Sequence, residues 1–280
     1  MGNLEIRIDA HQHFWQFDPV RDSWITGEMS VIQRDMMPGD LEPLLKQYNF
    51  DGCILVQTNQ SPAENDFLLE QASAHDFIKG VVGWVDLKTA DIDEQLVNCK
   101  SLKKLKGFRH ILQGEVDRAY MLDASFMQGI GLLEKYNYTY DILIYPDQLE
   151  HTLEFVKAFP NQKFVVDHIA KPNIKDKKID DWANGIKAIA GHENVYCKVS
   201  GMLTEADWLN RQEADFEPYL EVVFDAFGTG RLMFGSDWPV CNVAGGYGRV
   251  ISVAEKYVNK LSAYEQSRFW GLNAAEFYTI

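Results

Sequence analysis

The sequence predicts an α/β protein built as a single (β/α)8 TIM barrel. Short apolar runs alternate with longer amphipathic segments at intervals of roughly 25 to 45 residues, the pattern of βα units around a parallel sheet. Eight such runs can be counted along the 280 residues. A barrel of about 250 residues fits this length. Because no internal repeat or low-complexity linker divides the chain, we assign residues 1–280 to one domain.

The eight predicted strands are the apolar runs, each bounded by turn or polar residues. They lie approximately at residues 4–10, 52–57, 80–86, 107–111, 139–145, 163–168, 195–200 and 231–236.

The segments between the strands carry helical signals, and the clearest signal begins at Ser61. Ser61 is a good N-cap, Pro62 suits the first helical position, and Glu64 completes a capping box. Phe67 and Leu68 then begin an apolar pattern with helical spacing. Further helices are predicted at residues 92–99, 124–136, 148–159, 179–190, 216–227, 244–260 and 263–278.

A long connection rich in aromatic residues follows the first strand, from His13 to about Gly39. It contains Phe14, Trp15, Phe17, Trp24 and Met36. A long loop at the catalytic end of a barrel can act as a lid over the site. The alternatives are a loop that only packs over the barrel end and a loop that contacts a second subunit of a homo-oligomer.

The charge and cysteine content limit the partners and the compartment. A formal net charge of −14 opposes binding to nucleic acid and to anionic membranes. The four cysteines form no CxxC pair and are predicted to be reduced packing residues. The N-terminus lacks a signal-peptide pattern, and no run approaches the ~18 apolar residues of a membrane span. We therefore expect a cytoplasmic protein that acts on a small molecule.

The ends of the predicted strands carry an unusual number of polar groups, and reactive groups of a (β/α)8 barrel sit at the C-terminal strand ends. His11 and His13 end the first strand, and two imidazoles at i and i+2 of a strand point to one face. His168 ends the sixth strand, and Asp237 follows the eighth. Barrel closure would bring these four side chains to one centre. Other polar or aromatic residues at or beside strand ends are Gln57, Asn59, Trp84, Arg109, His110, Asp141, Asp167, Lys171, Lys198, Ser200 and Trp238.

Four segments together resemble one protein family. They are IDAHQHFW at residues 8–15, VDHIAKP at 166–172, MFGSDWP at 233–239 and NAAEFY at 273–278. The combination resembles the amidohydrolase superfamily, specifically its sugar-lactonase branch. That branch includes L-fuconolactonases, L-rhamnonolactonases and relatives of 2-pyrone-4,6-dicarboxylate lactonase.

The resemblance implies roles for four residues. His11 and His13 occupy the first-strand metal positions, His168 is the sixth-strand histidine, and Asp237 is the carboxylate that shuttles the proton. The chain departs from the wider superfamily in two places. Its fifth strand lacks a histidine, and its fourth lacks a lysine or glutamate suited to bridge two metal ions. These departures argue against a binuclear centre.

The cofactor is left open between two alternatives. His11, His13, His168 and Asp237 could hold one zinc ion. A lactone is an activated ester, and histidines with an arginine can polarise its carbonyl without a Lewis acid. The sequence therefore predicts either no obligate cofactor or one divalent metal ion.

The expected mechanism assigns Asp237 as the general base that takes a proton from the attacking water. His168, His110 and Arg109 would stabilise the developing oxyanion, although Arg109 could instead be a structural ion-pair partner. His11 and His13 would hold a metal ion or bind the carbonyl. The remaining residues predicted to bind substrate are Gln57, Asn59, Trp84, Asp141, Lys171 and Trp238.

The expected activity is hydrolysis of an aldono-1,4- or 1,5-lactone, such as L-fuconolactone or L-rhamnonolactone, to the aldonic acid in carbohydrate catabolism. One alternative keeps the barrel but uses a single zinc ion for amide hydrolysis or non-oxidative decarboxylation. A second alternative is a barrel without catalytic activity that binds a small metabolite. The intact eighth-strand aspartate argues against the second alternative, because binding alone needs no base.

Overall fold

A closed barrel of eight parallel strands forms the centre of the protein. The computed structural model describes residues 6–210 and 212–280. The strands are β1 (Ile8–Gln12), β2 (Gly52–Val56), β3 (Ile78–Gly83), β4 (Leu105–His110), β5 (Thr139–Ile142), β6 (Phe164–Val166), β7 (Val195–Val199) and β8 (Leu232–Phe234). Each strand pairs in parallel with the next. A parallel bridge between Gln12 and Trp238 returns the sheet to its first strand. The predicted (β/α)8 barrel is confirmed, while the predicted strand start at Leu4 lies outside the described residues.

Helices follow the strands and cover the outside of the barrel. They are α1 (Pro38–Gln47), α2 (Pro62–Ala74), α3 (Ile92–Cys99), α4 (Ala124–Lys135), α5 (Leu149–Ala158), α6 (Asp180–Ala190), α7 (Glu217–Phe227), α8 (Tyr247–Val258), α9 (Ala263–Ser267) and α10 (Asn273–Tyr278).

The α2 cap is half of the predicted capping box. The Ser61 hydroxyl accepts a hydrogen bond from the Glu64 backbone N–H at 3.3 Å, as predicted. The Glu64 carboxylate, however, accepts from the Thr58 backbone N–H at 2.8 Å instead of returning to Ser61. This helix start therefore also fixes the loop that leaves β2.

Helix α1 was not predicted. Its apolar pattern is short, with Leu41 and Leu45 as the leucines it buries. Its start is set by Pro38 and by the Asp40 carboxylate, which accepts from the Met37 backbone N–H at 3.0 Å. These local capping contacts make the helix in a segment that shows weak periodicity.

The single helix predicted for residues 263–278 is wrong in its continuity. A π-helical segment, Arg268–Leu272, separates α9 from α10. The Asn273 side chain donates to the Thr229 carbonyl at 2.8 Å, which ties the start of α10 to the base of β8. Helix α10 then places Phe277 and Tyr278 in the smaller of two apolar clusters, the one that fills the barrel interior.

The connection after β1 is packed onto the barrel. Phe14 and Trp15 are buried. Trp15 pairs its backbone with Met36 through hydrogen bonds of 3.0 and 2.9 Å. A 3₁₀ segment, Gly27–Ile32, packs against the turn after β8. Trp24 and Val20, 43% and 85% exposed, face solvent to a large extent. Packing over the barrel end thus accounts for most of the aromatic residues of this loop.

Two further features of the fold are the state of the cysteines and the lengths of the helices. All four cysteines, which lie within the described residues, are free thiols. Across residues 6–210 and 212–280, none of the helices has both the length and the apolar character needed to cross a membrane.

Candidate active site

A β-bulge in β1 turns His11 toward the barrel interior. Asp9 pairs with Cys53 and Gln12 pairs with Leu55, so three steps along β1 match two along β2. One extra residue in a strand reverses the alternation of its faces and re-aims the side chains that follow. The bulge therefore directs His11, and with it His13, into the barrel.

One carboxylate oxygen faces three imidazoles at the C-terminal end of the barrel. Asp237 Oδ1 lies 3.4 Å from His13 Nε2, 3.9 Å from His168 Nε2 and 4.0 Å from His11 Nε2. All four side chains are buried. These distances exceed a direct hydrogen bond of about 2.7–3.2 Å. The carboxylate oxygen therefore lies next to the three imidazoles without accepting a hydrogen bond from any of them.

The protonation of His13 is fixed by a backbone carbonyl. His13 Nδ1 lies 2.8 Å from the Val56 carbonyl oxygen, which can only accept, so Nδ1 carries the proton. His13 Nε2 faces His11 Nε2, 3.1 Å away. Burial lowers the pKa of His11 and of His168 well below the ordinary value for histidine. His11 and His168 are thus held as neutral imidazoles, which is the form that binds metals and accepts protons.

A left-handed turn directly after β6 presents His168. Residues 168–171, none of them glycine, have φ between 47 and 58°. L-residues in this region cost roughly 1–2 kcal/mol each, so the surroundings must hold them there. The Trp182 indole N–H donates to the Ile169 carbonyl at 2.7 Å, and His168 Nδ1 lies 2.9 Å from Ser200 Oγ. These contacts aim His168 Nε2 at Asp237.

Asp237 is also held in the left-handed region, with φ of 56°. Its backbone N–H donates to the His11 carbonyl at 2.8 Å, and its carbonyl accepts from the Cys241 N–H at 2.9 Å. The backbone of the eighth-strand aspartate is therefore attached directly to the first-strand histidine.

Two glycines make room for the histidines. A Cβ on Gly235 would lie 2.7 Å from His11 Cβ, and one on Gly201 would lie 2.6 Å from His168 Nδ1. Real Cβ atoms do not approach this closely. At both positions a side chain would displace an imidazole of the site.

Beneath the histidines lies a buried ionic network centred on Lys198. The Lys198 ammonium contacts the Asp141 carboxylate, Asp167 Oδ1 at 3.0 Å and His11 Nδ1 at 3.2 Å. The Tyr278 hydroxyl, contributed by α10, donates to Asp141 at 3.0 Å. Burial alone would raise the pKa of Asp167, but the nearby Lys198, His11 and Arg109 hold it well below its ordinary value. Asp167 is therefore an anion that supports His11 from below.

Arg109 belongs to this network and not to the open part of the site. Its guanidinium donates to Asp167 Oδ2 at 2.9 Å and to both oxygens of Gln57. One terminal nitrogen also lies 3.3 Å from His11 Nε2. Because acceptors of the protein engage both terminal nitrogens, the contacts favour the ion-pair alternative for Arg109. Its observed contacts are with Asp167, Gln57 and His11.

His110 and Trp84 form a separate hydrogen-bonded chain. His110 Nε2 lies 2.7 Å from Glu115 Oε1, and the Trp84 indole N–H donates to His110 Nδ1 at 3.4 Å. Stacking on Tyr120, with ring centroids 5.1 Å apart, completes the environment of the imidazole. Burial is the main cause that lowers the pKa of His110. Its ring nitrogens thus contact Glu115 and Trp84, and not the histidine cluster.

The side chains of three other predicted binding residues also lie apart from the cluster. Trp238 is 2% exposed and packs edge-on against Phe14, with ring centroids 5.8 Å apart. Asn59 lines a small depression together with Trp15 and Phe67. Asp141 reaches the cluster only through Lys198.

Sequence reasoning gave no role to Asp167, Lys198 or Glu205. Asp167 and Lys198 end predicted strands, and Lys198 stands between apolar residues of β7, where a charge needs a buried partner. The sequence alone therefore contained a signal that Lys198 has a buried partner. Glu205 lies in the loop after β7, and no motif marks it.

The donor atoms fit one divalent metal ion. Two sets of side chains have candidate ligand atoms within 4.8 Å of one another, namely His11 with His13 and Asp237, and His11 with Asp167 and His168. Asp167 already accepts from Arg109 and Lys198, so the first set is better suited to an added cation. Two imidazole nitrogens and one carboxylate oxygen are the kind of donors that zinc takes.

A cleft of 1090 Å³ opens on the same end of the barrel. Loops after five strands contribute to its walls. Its lining includes Tyr145, Lys171, Thr204, Glu205 and Trp208. Burial raises the pKa of Glu205, and the charge of Lys171 opposes that shift while the charge of Asp237 adds to it. Glu205 therefore lies within electrostatic reach of Asp237.

Comparison with known proteins gives matches over the whole barrel. The model of a family described as amidohydrolase matches residues 8–280. An L-fucono-1,5-lactonase of Burkholderia multivorans is 39% identical, covering 100% of this chain and 97% of that protein. An L-fucono-1,5-lactonase of Burkholderia ambifaria is 35% identical, covering 99% of this chain and 97% of that protein.

A solved structure is similarly close. The crystal structure of an amidohydrolase from Burkholderia multivorans with bound Zn superposes with a TM-score of 0.95 at 39% identity. The superposition covers 98% of this chain and 99% of that chain.

Proposed function

This chain belongs to the amidohydrolase family, and on that basis we propose that it is a lactonase that hydrolyses sugar lactones, with L-fucono-1,5-lactone as the first substrate to test. One observation carries the proposal. A single carboxylate oxygen of Asp237 faces three imidazoles in a chain that matches L-fucono-1,5-lactonases along its full length.

Asp237 acts as the general base in this proposal. Water attacks the lactone carbonyl carbon while Asp237 Oδ1 accepts its proton. The carbonyl π electrons move to oxygen and form a tetrahedral oxyanion. When the oxyanion collapses, the bond between the carbonyl carbon and the ring oxygen breaks, and Asp237 returns the proton to that oxygen. One water is consumed, and one hydroxy acid is formed.

His168 is the protein donor best placed for the oxyanion. With Nδ1 accepting from the Ser200 hydroxyl, His168 Nε2 carries a proton that it can donate. Preorganised donors at a developing oxyanion are worth roughly 10²–10³ in rate each. Arg109 acts through His11 and Asp167, and His110 remains a predicted oxyanion donor whose present contacts are Glu115 and Trp84.

The cofactor part of the proposal is one divalent metal ion at His11, His13 and Asp237. Bound there, a zinc ion would supply a Lewis acid for the lactone carbonyl. His13 is ready for that role because its Nδ1 proton is bound by the Val56 carbonyl. Metal analysis of the purified protein, with activity measured before and after chelation, tests this part separately.

The test of the reaction is acid release from a panel of lactones. The purified protein is mixed with L-fucono-1,5-lactone, L-rhamnono-1,4-lactone and other aldonolactones in a weakly buffered pH indicator, and the product is identified by mass. We expect proton release and a mass gain of one water, fastest with L-fucono-1,5-lactone. A folded protein that releases no acid from any lactone would refute the proposal. Release of carbon dioxide from an aromatic acid would support the decarboxylase alternative.

A further inference from the structure

The cleft at this end of the barrel contains an ion pair whose geometry suits a sugar hydroxyl. Lys171 Nζ lies 3.7 Å from Glu205 Oε1, and the side chains are 17% and 23% exposed. A direct charged hydrogen bond would be about 2.7–2.9 Å long. The two groups are therefore close enough to attract but leave donor and acceptor capacity turned toward the cleft.

The position of this pair is set by the same backbone that sets the site. Lys171 is the last residue of the left-handed turn that begins at His168, and its backbone N–H donates to the His168 carbonyl at 2.8 Å. Glu205 lies on the loop after β7, and its carbonyl accepts from the Lys175 N–H at 3.0 Å. The turn that aims the imidazole thus also fixes how far Lys171 stands from it.

Aromatic side chains line the cleft next to the pair. The Lys171 ammonium lies 5.5 Å from the centre of the Tyr145 ring, which is 39% exposed. The Trp208 indole N–H donates to the Thr204 carbonyl at 2.9 Å, which holds that ring on the cleft wall. Sugars present hydroxyls together with apolar C–H faces, so charged and aromatic groups side by side match both surfaces.

We propose that Lys171 and Glu205 form the hydroxyl-binding subsite of the lactone and determine which sugar the enzyme accepts. A hydroxyl oxygen accepts from the Lys171 ammonium, and its proton is donated to the Glu205 carboxylate. Because ammonium and carboxylate are fixed relative to His168 and Asp237, the subsite reads the position and configuration of a ring hydroxyl relative to the carbonyl. This inference rests on the proposed lactonase function.

The test compares a hydroxylated lactone with one that has no hydroxyls. Lys171→Met and Glu205→Gln keep side-chain length, and each is assayed with L-fucono-1,5-lactone and with δ-valerolactone. We expect kcat/KM for L-fucono-1,5-lactone to fall about 10- to 100-fold, the range for losing a hydrogen bond to a charged group. The value for δ-valerolactone stays within about twofold, because that lactone makes no such bond.

A binding measurement gives a second readout without turnover. Calorimetric titration with L-fuconate should show affinity weakened about tenfold in both variants. The matched control is Lys177→Met, on the same connection after β6, where the lysine is 77% exposed and pairs with Asp215. This control should match the wild type in both assays.

The outcomes separate this inference from the proposed function. The subsite is overturned if kcat/KM falls equally for both lactones. It is also overturned if kcat/KM for L-fucono-1,5-lactone and the affinity for L-fuconate both stay at wild-type values. A wild-type enzyme that hydrolyses no lactone overturns the proposed function itself.

Discussion

At the scale of single residues, the site depends on where neighbouring side chains are absent as much as on where they are present. Gly235 lies against His11, and a Cβ there would be 2.7 Å from His11 Cβ and 3.1 Å from Ser200 Cβ. No flexible side-chain end lies in the way that could simply move aside. The imidazole or the strand must shift.

Gly235→Ala should therefore reduce activity more than the addition of a single methyl group suggests. We expect kcat to fall at least about tenfold and stability to fall by about 1–3 kcal/mol, the usual cost of overpacking. Steady-state kinetics and urea unfolding measure the two effects. Gly230→Ala is the control, because nothing lies within 4 Å of a Cβ at that position. If the two variants have the same kcat and the same stability, the site tolerates a displacement of His11.

The lowered pKa of His110 leads to a separate prediction about how folding stability depends on pH. Burial lowers the pKa below the ordinary 6.5, against the opposing charge of Glu115. As pH falls below 6.5, the unfolded chain takes up this proton before the folded chain, so stability is lost on acidification. Above 6.5 this contribution is fully present.

His110→Gln should consequently flatten the dependence of stability on pH. The amide can still donate to Glu115 and accept from Trp84, so the fold is kept. The decrease in Tm between about pH 7.5 and pH 5 should be smaller than in the wild type. It should not vanish, because burial also lowers the pKa of His11 and His168. If Tm decreases by as much as in the wild type, the pKa of His110 is the same in the folded and the unfolded chain.

At the scale of elements, two irregularities do more for the site than the regular strands. The bulge in β1 turns His11 inward, and the left-handed turn at residues 168–171 carries both His168 and Lys171. Helix α6 contributes to holding that turn through the hydrogen bond from Trp182 Nε1 to the Ile169 carbonyl.

Trp182→Phe tests whether α6 supports the left-handed turn at residues 168–171. The ring keeps most of its apolar contacts, but the buried Ile169 carbonyl loses its donor, at a cost of about 1–3 kcal/mol. We expect a lower Tm together with a lower kcat, because His168 Nε2 is no longer held toward Asp237. A lower Tm with unchanged kcat would show that Ser200 alone suffices to orient the imidazole.

The irregular elements are also where sequence-based prediction was weakest. The alternation of apolar runs predicts all eight strands, and the polar strand ends predict that His11, His13, His168 and Asp237 meet. The pattern cannot show a one-residue bulge, because either register of β1 buries its residues. Helix α1 and the break at Arg268–Leu272 depend on capping and on tertiary hydrogen bonds that have no periodic signal.

The chemistry of individual strand-end residues was harder to predict than their location. Arg109 and Asp141 do lie at the ends of barrel strands, yet their charges are used within the protein. Asp141 pairs with Lys198, and Arg109 pairs with Asp167. Which buried charge meets which partner depends on side-chain directions in the closed barrel, and these do not follow from position along the chain.

At the scale of the whole molecule, the Lys198 network connects the site to the far end of the barrel. It joins residues from β5, β7, the turn after β6 and the C-terminal helix α10, whose Tyr278 donates to Asp141. A buried pair of this kind is costly to break, because the remaining charge is left without compensation.

Lys198→Met should destabilise the protein by about 3–5 kcal/mol, since Asp141 and Asp167 both lose their ammonium partner. Urea unfolding measures the change. Adding Asp141→Leu to this variant should restore part of the loss by removing one of the uncompensated charges. Lys163→Met, an exposed lysine at the start of the β6 region, is expected to change stability by less than about 0.5 kcal/mol. A Lys198→Met variant as stable as this control would contradict the network.

The most direct test of the account is the turnover of L-fucono-1,5-lactone by Asp237→Asn. The amide keeps the shape of the side chain but cannot accept the proton of the attacking water. We predict a loss of about 10²–10⁴ in kcat, with an unchanged circular dichroism spectrum and a Tm close to that of the wild type. A folded Asp237→Asn enzyme that opens the lactone at the wild-type rate would contradict the central claim that Asp237 is the base.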